Sequence, residues 1–458
     1  MINAIPNGAM IYIGIMPATL NADMIPRWMA VGLLLAGAAS AQEAPLKLTL
    51  KDAVQMALKQ NPQVVLANLN VAQTEKDRLL ARSGLLPQVS GNVGETVNRE
   101  NIEALLGMSF PGFTQHIGPF EVFQAGIGVN APVFDLTLWR RYQASRFGID
   151  ASHAQERTAR EQNVLLVVSQ YLGAQRAQAN VTAAKSRVDL AQALYDQAAD
   201  LQKNGAGTGI DTLRANVELQ NEKQRQITAQ TDLDTSLFAL GRLLNLDPHR
   251  RLELADSVSF FETPPITADQ TIEQAWAARP ELKQLASARA RAELDLRTAG
   301  EERLPKVSIH GFWAEQGLTP DSVIPVYQYQ FNLDVPIFTG GRIQAQQAKA
   351  EIAIRQIGQQ EQDARAAIAL EVKNAVAQLD AARHEVDVAN LGVQLARQEV
   401  DQARDRFQAG VANNVEVVTA QDALSRANDN QIAALYRFNQ ARADVAHATG
   451  QMEALYAK

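Results

Sequence analysis

The sequence predicts a mainly α-helical chain with a small β part, built from one repeat used twice. Three observations lead there. Proline, which breaks helices, is absent between Pro132 and Pro248 and again after Pro336, and both gaps are rich in the helix formers Ala, Gln, Glu, Arg and Leu. Landmarks in the first half return in the same order in the second. Short segments just before each proline-free stretch alternate apolar and polar residues with the period of a β-strand.

The repeat is explicit. "LTLKDAVQMALKQNPQV" (48–64) aligns with "ITADQTIEQAWAARPEL" (266–282) and places Pro62 on Pro280. The same spacing places "LPQVS" (86–90) on "LPKVS" (304–308). Slightly shorter ones, 204 and 205 residues, place "APVF" (131–134) on "VPIF" (335–338) and "GAGTGIDTLRA" (205–215) on "GVANNVEVVTA" (410–420).

Taken in order, the N-terminus reads as an export signal. Arg27 precedes an apolar run from Met29 to Ala38, and Ala39-Ser40-Ala41 is a small-x-small cleavage site, so residues 1–41 are an expected signal with an upstream extension. Repeat 1 spans 42–250, a linker 251–265 and repeat 2 266–458. Each repeat opens with two short helices. Thr49-x-x-Asp52 and Thr267-x-x-Gln270 are capping-box-like starts. Two strands follow, within about 88–134 and about 306–338. Each repeat then ends in a long helical hairpin, turning at "KNGAGTG" (203–209) and at "QAGVANN" (408–414). The arms before the turns, 137–202 and 340–407, correspond to about 100 Å of unbroken helix.

"YQYQFNLDVPIF" (327–338) is the clearest strand. Tyr327, Tyr329, Phe331, Leu333, Val335 and Ile337 lie on one face, and Gln328, Gln330, Asn332 and Asp334 on the other. Such strands in an exported chain fit an outer-membrane barrel, apolar outside and polar inside; a soluble sandwich alternates in the same way. Four strands cannot close a barrel alone, and open edges are not tolerated in lipid. Membranous strands would therefore need several chains.

Composition narrows the function. A formal charge of −7 leaves no basic footprint for nucleic acid, and the absence of cysteine removes disulfides, thiolate sites and a lipoprotein anchor. The histidines form no H-E-x-x-H pair. "GAGTG" lacks the G-K-[ST] ending of a phosphate loop and reads as a hairpin turn. No residues point to catalysis, a metal or a cofactor.

The duplicated order of opening helix, LP-to-strand junction, PxF-to-long-helix junction and G-x(4)-[IV]-[DE]-x-[LV] turn resembles the TolC-type outer-membrane efflux family, over about residues 46–450. The resemblance implies a homotrimer with one 12-stranded β-barrel, four strands per chain, continued by a long periplasmic α-helical barrel. It implies an exit duct that works with a periplasmic adaptor (membrane fusion) protein and an inner-membrane pump of RND, ABC or similar type. Tyr329, Phe331, Leu333 and Val335 would then face outer-membrane lipid, and Gln328, Gln330, Asn332 and Asp334 the lumen. The turns would form the periplasmic tip and contact the adaptor through Gly205, Gly207, Gly209, Gly410, Asn413 and Asn414. At the family's gate positions this chain has Phe407 for the aromatic, Ala412 for the basic residue, and Glu416 and Thr419 for two Asp; the first half keeps Asp211. One carboxylate ring is thus expected, without a basic latch. The competing reading is a coiled-coil spacer of the cell envelope with no pore.

Overall fold

A computed structural model describes residues 45–458 apart from 109–111, 113, 206, 257–265, 410, 413 and 458. The expected signal (1–41), most of the linker, Gly410 and Asn413 therefore lie outside the described residues. The elements of the first half are β1 (Leu46–Leu48), α1 (Leu50–Gln60), α2 (Pro62–Ser83), β2 (Gln88–Asn101), α3 (Ile102–Leu106), β3 (His116–Phe134), α4 (Leu136–Lys203) and α5 (Gly209–Leu243). Those of the second half are β4 (Leu252–Leu254), α6 (Ala268–Ala278), α7 (Pro280–Glu301), β5 (Lys306–Gly317), β6 (Ile324–Asp334), α8 (Arg342–Gln408), α9 (Asn414–Ala448) and α10 (Met452–Tyr456).

Two features were not legible in advance. The expected linker begins as a strand: β4 pairs in parallel with β1, Leu46 opposite Leu252 and Leu48 opposite Leu254. The strand read through Ile337 stops at Asp334, so Val335 follows β6 and is not part of it. Of the two expected capping boxes, Thr49 and Asp52 form theirs, whereas Thr267 makes no side-chain cap bond to α6.

α4 has 68 residues and α8 has 67, each about 100 Å long. α4 packs along α5, and α8 along α9. Along α8 the buried residues Ile368, Val372, Ala375, Leu379, Ala382 and Val386 recur every three and four positions, the seam of a coiled coil. Leu379, Ala382 and Val386 meet Ala434, Phe438 and Ala441 of α9.

A mixed core surrounds the middle of α4. Val164, Val167, Val168 and Tyr171 pack with Leu48 of β1, Ala53 and Val54 of α1, Leu240 of α5, Ala443 of α9 and Met452 of α10. The fully buried Tyr171 holds its hydroxyl 2.9 Å from Leu48 O and 3.0 Å from Asp256 Oδ2. Burial first, then the Asp256 hydrogen bond, pushes the Tyr171 phenol well up, so it stays a neutral donor. Asp256 also accepts from Leu50 N at 2.6 Å. One carboxylate thus ties α4 to the start of α1.

The two repeats solve one problem with different side chains. α1 breaks to α2 at Asn61-Pro62, and α6 breaks to α7 at Arg279-Pro280; each proline opens its helix, where a missing N–H costs nothing. Asn61 Nδ2 donates to Leu243 O, the last residue of α5, at 2.7 Å. Arg279 Nη1 donates to His447 O, one residue from the end of α9, at 2.9 Å. In both halves the residue before the proline ties the short helices to the last turn of the repeat's final helix and satisfies one of its orphan carbonyls.

At the second joint Arg279 also pairs with Glu371 at 3.0 Å, and His447 Nδ1 lies 2.8 Å from Glu371 Oε1. Burial pushes the Glu371 carboxyl up, but the His447 hydrogen bond and the Arg279 charge outweigh it and hold the group below the usual carboxylate range. A depressed carboxylate stabilises the folded state above its unfolded pKa of about 4.5 and ceases to as pH falls through the folded value. Glu371→Gln should therefore lower the thermal midpoint at pH 7 and narrow the gap to wild type below pH 4, read by circular dichroism at 222 nm.

Candidate functional site

The sheet is a four-stranded antiparallel meander in the order β2-β3-β5-β6. Register decides which side chains share a face, because directly paired residues point the same way. Tyr327, Tyr329, Phe331 and Leu333 of β6 lie opposite Trp313, Gly311, Ile309 and Val307 of β5. These continue onto Ile127, Val129 and Ala131 of β3, and from there onto Val89 and Val93 of β2. The other face carries Gln328, Gln330, Asn332 and Asp334, then Phe312, His310, Ser308 and Lys306, then Asn130 and Gln124, then Gln88, Ser90 and Asn92. Over these rows one face is apolar and the other is polar with Phe312 as an interruption; further along, Glu315 and Glu95 break the first face, and Ala314, Val326 and Ile324 the second. The single chain leaves the apolar face open: Tyr329 is 70% exposed and Phe331 75%.

The sheet is joined firmly to the helices. Asp135 follows β3 directly and caps α4, accepting from Thr137 N at 2.9 Å and Leu138 N at 3.3 Å, and lies 3.5 Å from Lys306 at the start of β5. Arg140 in the first turns of α4 grips Glu301 at the end of α7 with two nitrogens, Nε at 3.0 Å and Nη2 at 2.9 Å. Such paired geometry resists rotation as well as separation. No helix among the described residues is long and apolar enough to cross a membrane.

At the far end of the helices lie the two turns. After α4, Asn204 is the C-cap and Gly205 takes φ of 74°, the left-handed cap that favours glycine. Gly207 folds back so that its N–H donates to Leu201 O at 3.0 Å, and a Cβ there would stand only 3.0 Å from the Leu201 Cβ. Gly209 is already the first residue of α5, against Gln202. Asp211 accepts a hydrogen bond from Thr208 Oγ1 and lies 4.0 Å from Arg214, so it serves its own helix start.

In the second turn, Phe407 ends up in the last turn of α8 and Asn414 opens α9. Ala412 lies between them and supplies no charge. Glu416 stands in the first turn of α9, and Arg406 Nε meets its Oε1 at 2.9 Å. Sequence reasoning looked for a basic residue after the glycine and missed this one before it. The signal was an Arg and a Glu ten residues apart, flanking a helical turn. Thr419 is a helix residue whose hydroxyl bonds back to Val415 O at 2.8 Å, and it takes no part in the pair. Each turn is crossed by a side-chain contact: Thr212 Oγ1 donates to Gln202 Oε1 at 2.7 Å across the first, and Arg406 pairs with Glu416 across the second.

Two helical faces remain without a partner in the single chain. On α8, opposite its buried seam, Leu370, Val388, Leu391 and Leu395 are exposed. On α5, Ile210, Leu213, Val217, Ile227 and Phe238 are exposed, and with Gln220, Gln224, Thr231 and Asp234 they complete an unbroken three-four spacing. Both are coiled-coil seams by their period.

The model of the outer membrane efflux protein family matches residues 53–246 and 271–451. The alkaline protease secretion protein AprF of Pseudomonas aeruginosa is 22% identical over 407 residues, covering 87% of this chain and 83% of that protein. The fold resembles the CmeC outer membrane channel of Campylobacter jejuni, with a TM-score of 0.76 at 20% identity over 88% of this chain and 85% of that one. It also resembles the open state of the MtrE outer membrane channel of Neisseria gonorrhoeae, with a TM-score of 0.70 at 17% identity over 88% of each chain.

Proposed function

The chain belongs to the outer membrane efflux protein family, and from that premise we propose that it is the exit duct of a tripartite efflux pump or type I secretion system. Three copies close a 12-stranded barrel in the outer membrane, continued into the periplasm by the paired helices. The duct conducts passively what an inner-membrane pump of RND, ABC or similar type and a periplasmic adaptor deliver. The observation that carries this reading is the sheet: one apolar face, one polar face and two outer strands, β2 and β6, that each have a neighbour on one side only. Such edges cannot stand in hydrocarbon, and further copies of the same sheet supply what is missing. The exposed seams of α5 and α8 support the same assembly along the helices. The name of AprF, a secretion protein, is in keeping with an export role.

The direct test is assembly and conductance. Full-chain protein extracted in detergent should scatter light as a trimer and open discrete channels in planar bilayers. A water-soluble monomer without channels would overturn the reading.

The faces of β6 should behave differently. Tyr329→Arg or Phe331→Arg sets a charge on the lipid side, at a cost of up to about 2–4 kcal/mol near mid-bilayer, and should reduce trimer recovered from membranes. Gln330→Arg should assemble normally and change conductance. Equal behaviour of the two classes would reverse or remove the facing assignment.

At the tip, three copies of Glu416 would stand around the entrance, each neutralised in part by its own Arg406. An acidic ring in a constriction attracts cations, so the paired ring should give only mild cation selectivity. Arg406→Gln should raise that selectivity and Glu416→Gln should abolish it, both read as reversal potential under a salt gradient. Neither should unfold the trimer, since exposed ion pairs contribute about 0–1 kcal/mol.

A further inference from the structure

Where the sheet meets the helices, one side of α4 carries an aromatic and basic cluster that further copies would leave open. The order of packing decides this. α2, α4, α7 and α8 pack one against the next, in the order of the strands β2, β3, β5 and β6. α4 therefore has a neighbour from its own chain on each flank, and further copies would join at α2 and α8. Gly148 of α4 stands between those neighbours: a Cβ there would lie 3.7 Å from Thr74 of α2 and 4.0 Å from Arg291 of α7. Trp139 comes nine residues earlier, about half a turn round the helix from that side, and is 46% exposed. Thr137 Oγ1 lies 3.5 Å from Lys306 Nζ, on the polar side of the sheet. Trp139 is about 160° round α4 from Thr137. It therefore continues the apolar side of the sheet, beyond Phe134, which pairs with Val307.

Basic residues surround this tryptophan. The Tyr142 ring lies 5.8 Å from that of Trp139, and the Arg78 guanidinium of α2 lies over the Tyr142 ring at 5.4 Å. Arg78 Nη2 also reaches the Tyr142 hydroxyl at 3.4 Å. Stacking uses the flat face of a guanidinium and leaves most of its N–H edge for an anion. Arg82 stands one turn further along α2, and Arg146 one turn beyond Tyr142 on α4, both exposed. None of these three arginines has a carboxylate partner among the described residues. Over 76–86 and 135–147 six basic residues stand against Asp77 and Asp135, in a chain whose net charge is −7. The opposite rim has the opposite charge: beyond Trp313, 54% exposed, the apolar rows give way to Glu315 and Glu95. From Val307 to Trp313 a tilted strand climbs about 15 Å, and the start of α4 adds about 6 Å. The two tryptophans are thus about 20 Å apart along the barrel, near the ~25 Å height of a barrel's apolar band.

We propose that Arg78 and Arg82 bind the phosphate of an anionic phospholipid in the leaflet facing the periplasm, with Trp139 and Tyr142 beside its glycerol and ester groups. Tryptophan and tyrosine favour that level of a membrane, and arginine meets a phosphate with two N–H groups at once. Arg146, one turn deeper, adds to the positive field. The site rests on the barrel reading above and adds to it a preference for one lipid class at one rim. Each chain carries one such site, away from the joins between copies.

Quenching of tryptophan fluorescence by brominated lipid tests this. A full chain with Trp28→Phe, Trp276→Phe and Trp313→Phe keeps Trp139 alone, and one with Trp28→Phe, Trp139→Phe and Trp276→Phe keeps Trp313. Each is reconstituted in phosphatidylcholine vesicles containing a rising share of phosphatidylglycerol, or of phosphatidylcholine, brominated in the acyl chains. Trp313 should be quenched equally by the two lipids. Trp139 should reach half its full quenching at an about fivefold lower share of phosphatidylglycerol than of phosphatidylcholine, the scale of one arginine at an anionic surface. Salt should shrink that difference, and Arg78→Gln with Arg82→Gln should remove it. Equal quenching of Trp139 by both lipids, or a preference that survives the double substitution, would overturn the site, while quenching of Trp313 keeps the barrel. No quenching of either tryptophan by either lipid would remove the barrel and the site with it. Light scattering identifies variants that fail to assemble. If the arginine variant is one, the salt dependence at Trp139 decides; if the tryptophan variants are, the ratio of phosphatidylglycerol to phosphatidylcholine retained by wild-type protein on extraction from an equal mixture decides, and a ratio of one overturns the site.

Discussion

The outer strands of the sheet, β2 and β6, each present a row of backbone N–H and C=O groups on the side away from their neighbour. In water such a row is met by solvent. In a bilayer each unmet group costs several kcal/mol. Everything else in the chain is consistent with a sheet completed by copies of itself. Between Ile309 and Trp313 the apolar face runs from strand to strand, so those rows share one environment. The Asp135 cap and the Arg140–Glu301 grip hold the sheet to α4 and α7 so that helices follow wherever the strands are placed. The exposed seams on α5 and α8 then face outward from each chain, as a closed ring of helices would require.

Much of this was legible in the sequence, because the repeat prints each signal twice. Pro62 and Pro280 marked the helix breaks and the proline-free stretches marked the long arms. The alternation in 327–334 marked a two-faced strand. What was not legible shares a physical cause. β1 and β4 are three residues each, too short for any period to show. The end of β6 at Asp334 is set by where its partner Lys306 begins pairing, a property of another segment. Arg406 and Glu416 are brought together by the path of a turn, and Asp256 reaches Tyr171 across 85 positions. Pattern reports the face a residue occupies; it does not report which residue stands opposite.

The repeat is also informative where its halves part. Asn61 and Arg279 occupy equivalent positions and bind equivalent carbonyls, yet one is a short neutral amide and the other a long cation. Asn61 closes its joint beside another neutral amide, Gln60, which donates to Leu244 O. Arg279, buried, needs counter-charges, and Glu281 and Glu371 supply them, with His447 completing the group. A buried ion pair is a weak source of stability against a neutral alternative and a large liability when one member is removed. The second joint has therefore become sensitive to protonation in a way the first is not, although the backbone carries the same link in both.

The same divergence runs through the hairpin tips. The first turn combines Gly205 in the left-handed region and Gly207 against Leu201 with a neutral hydrogen bond from Thr212 Oγ1 to Gln202 Oε1 across the hairpin. The second is bridged by Arg406 and Glu416, both more than 40% exposed at the side chain. A neutral hydrogen bond is little affected by salt, whereas an exposed ion pair weakens as salt screens it. If three copies close a ring, as proposed, three turns crossed by a neutral contact alternate with three crossed by an ion pair. Half of the side-chain ties at that end would then be ones that ionic strength can loosen, and those lie on the α8–α9 hairpins.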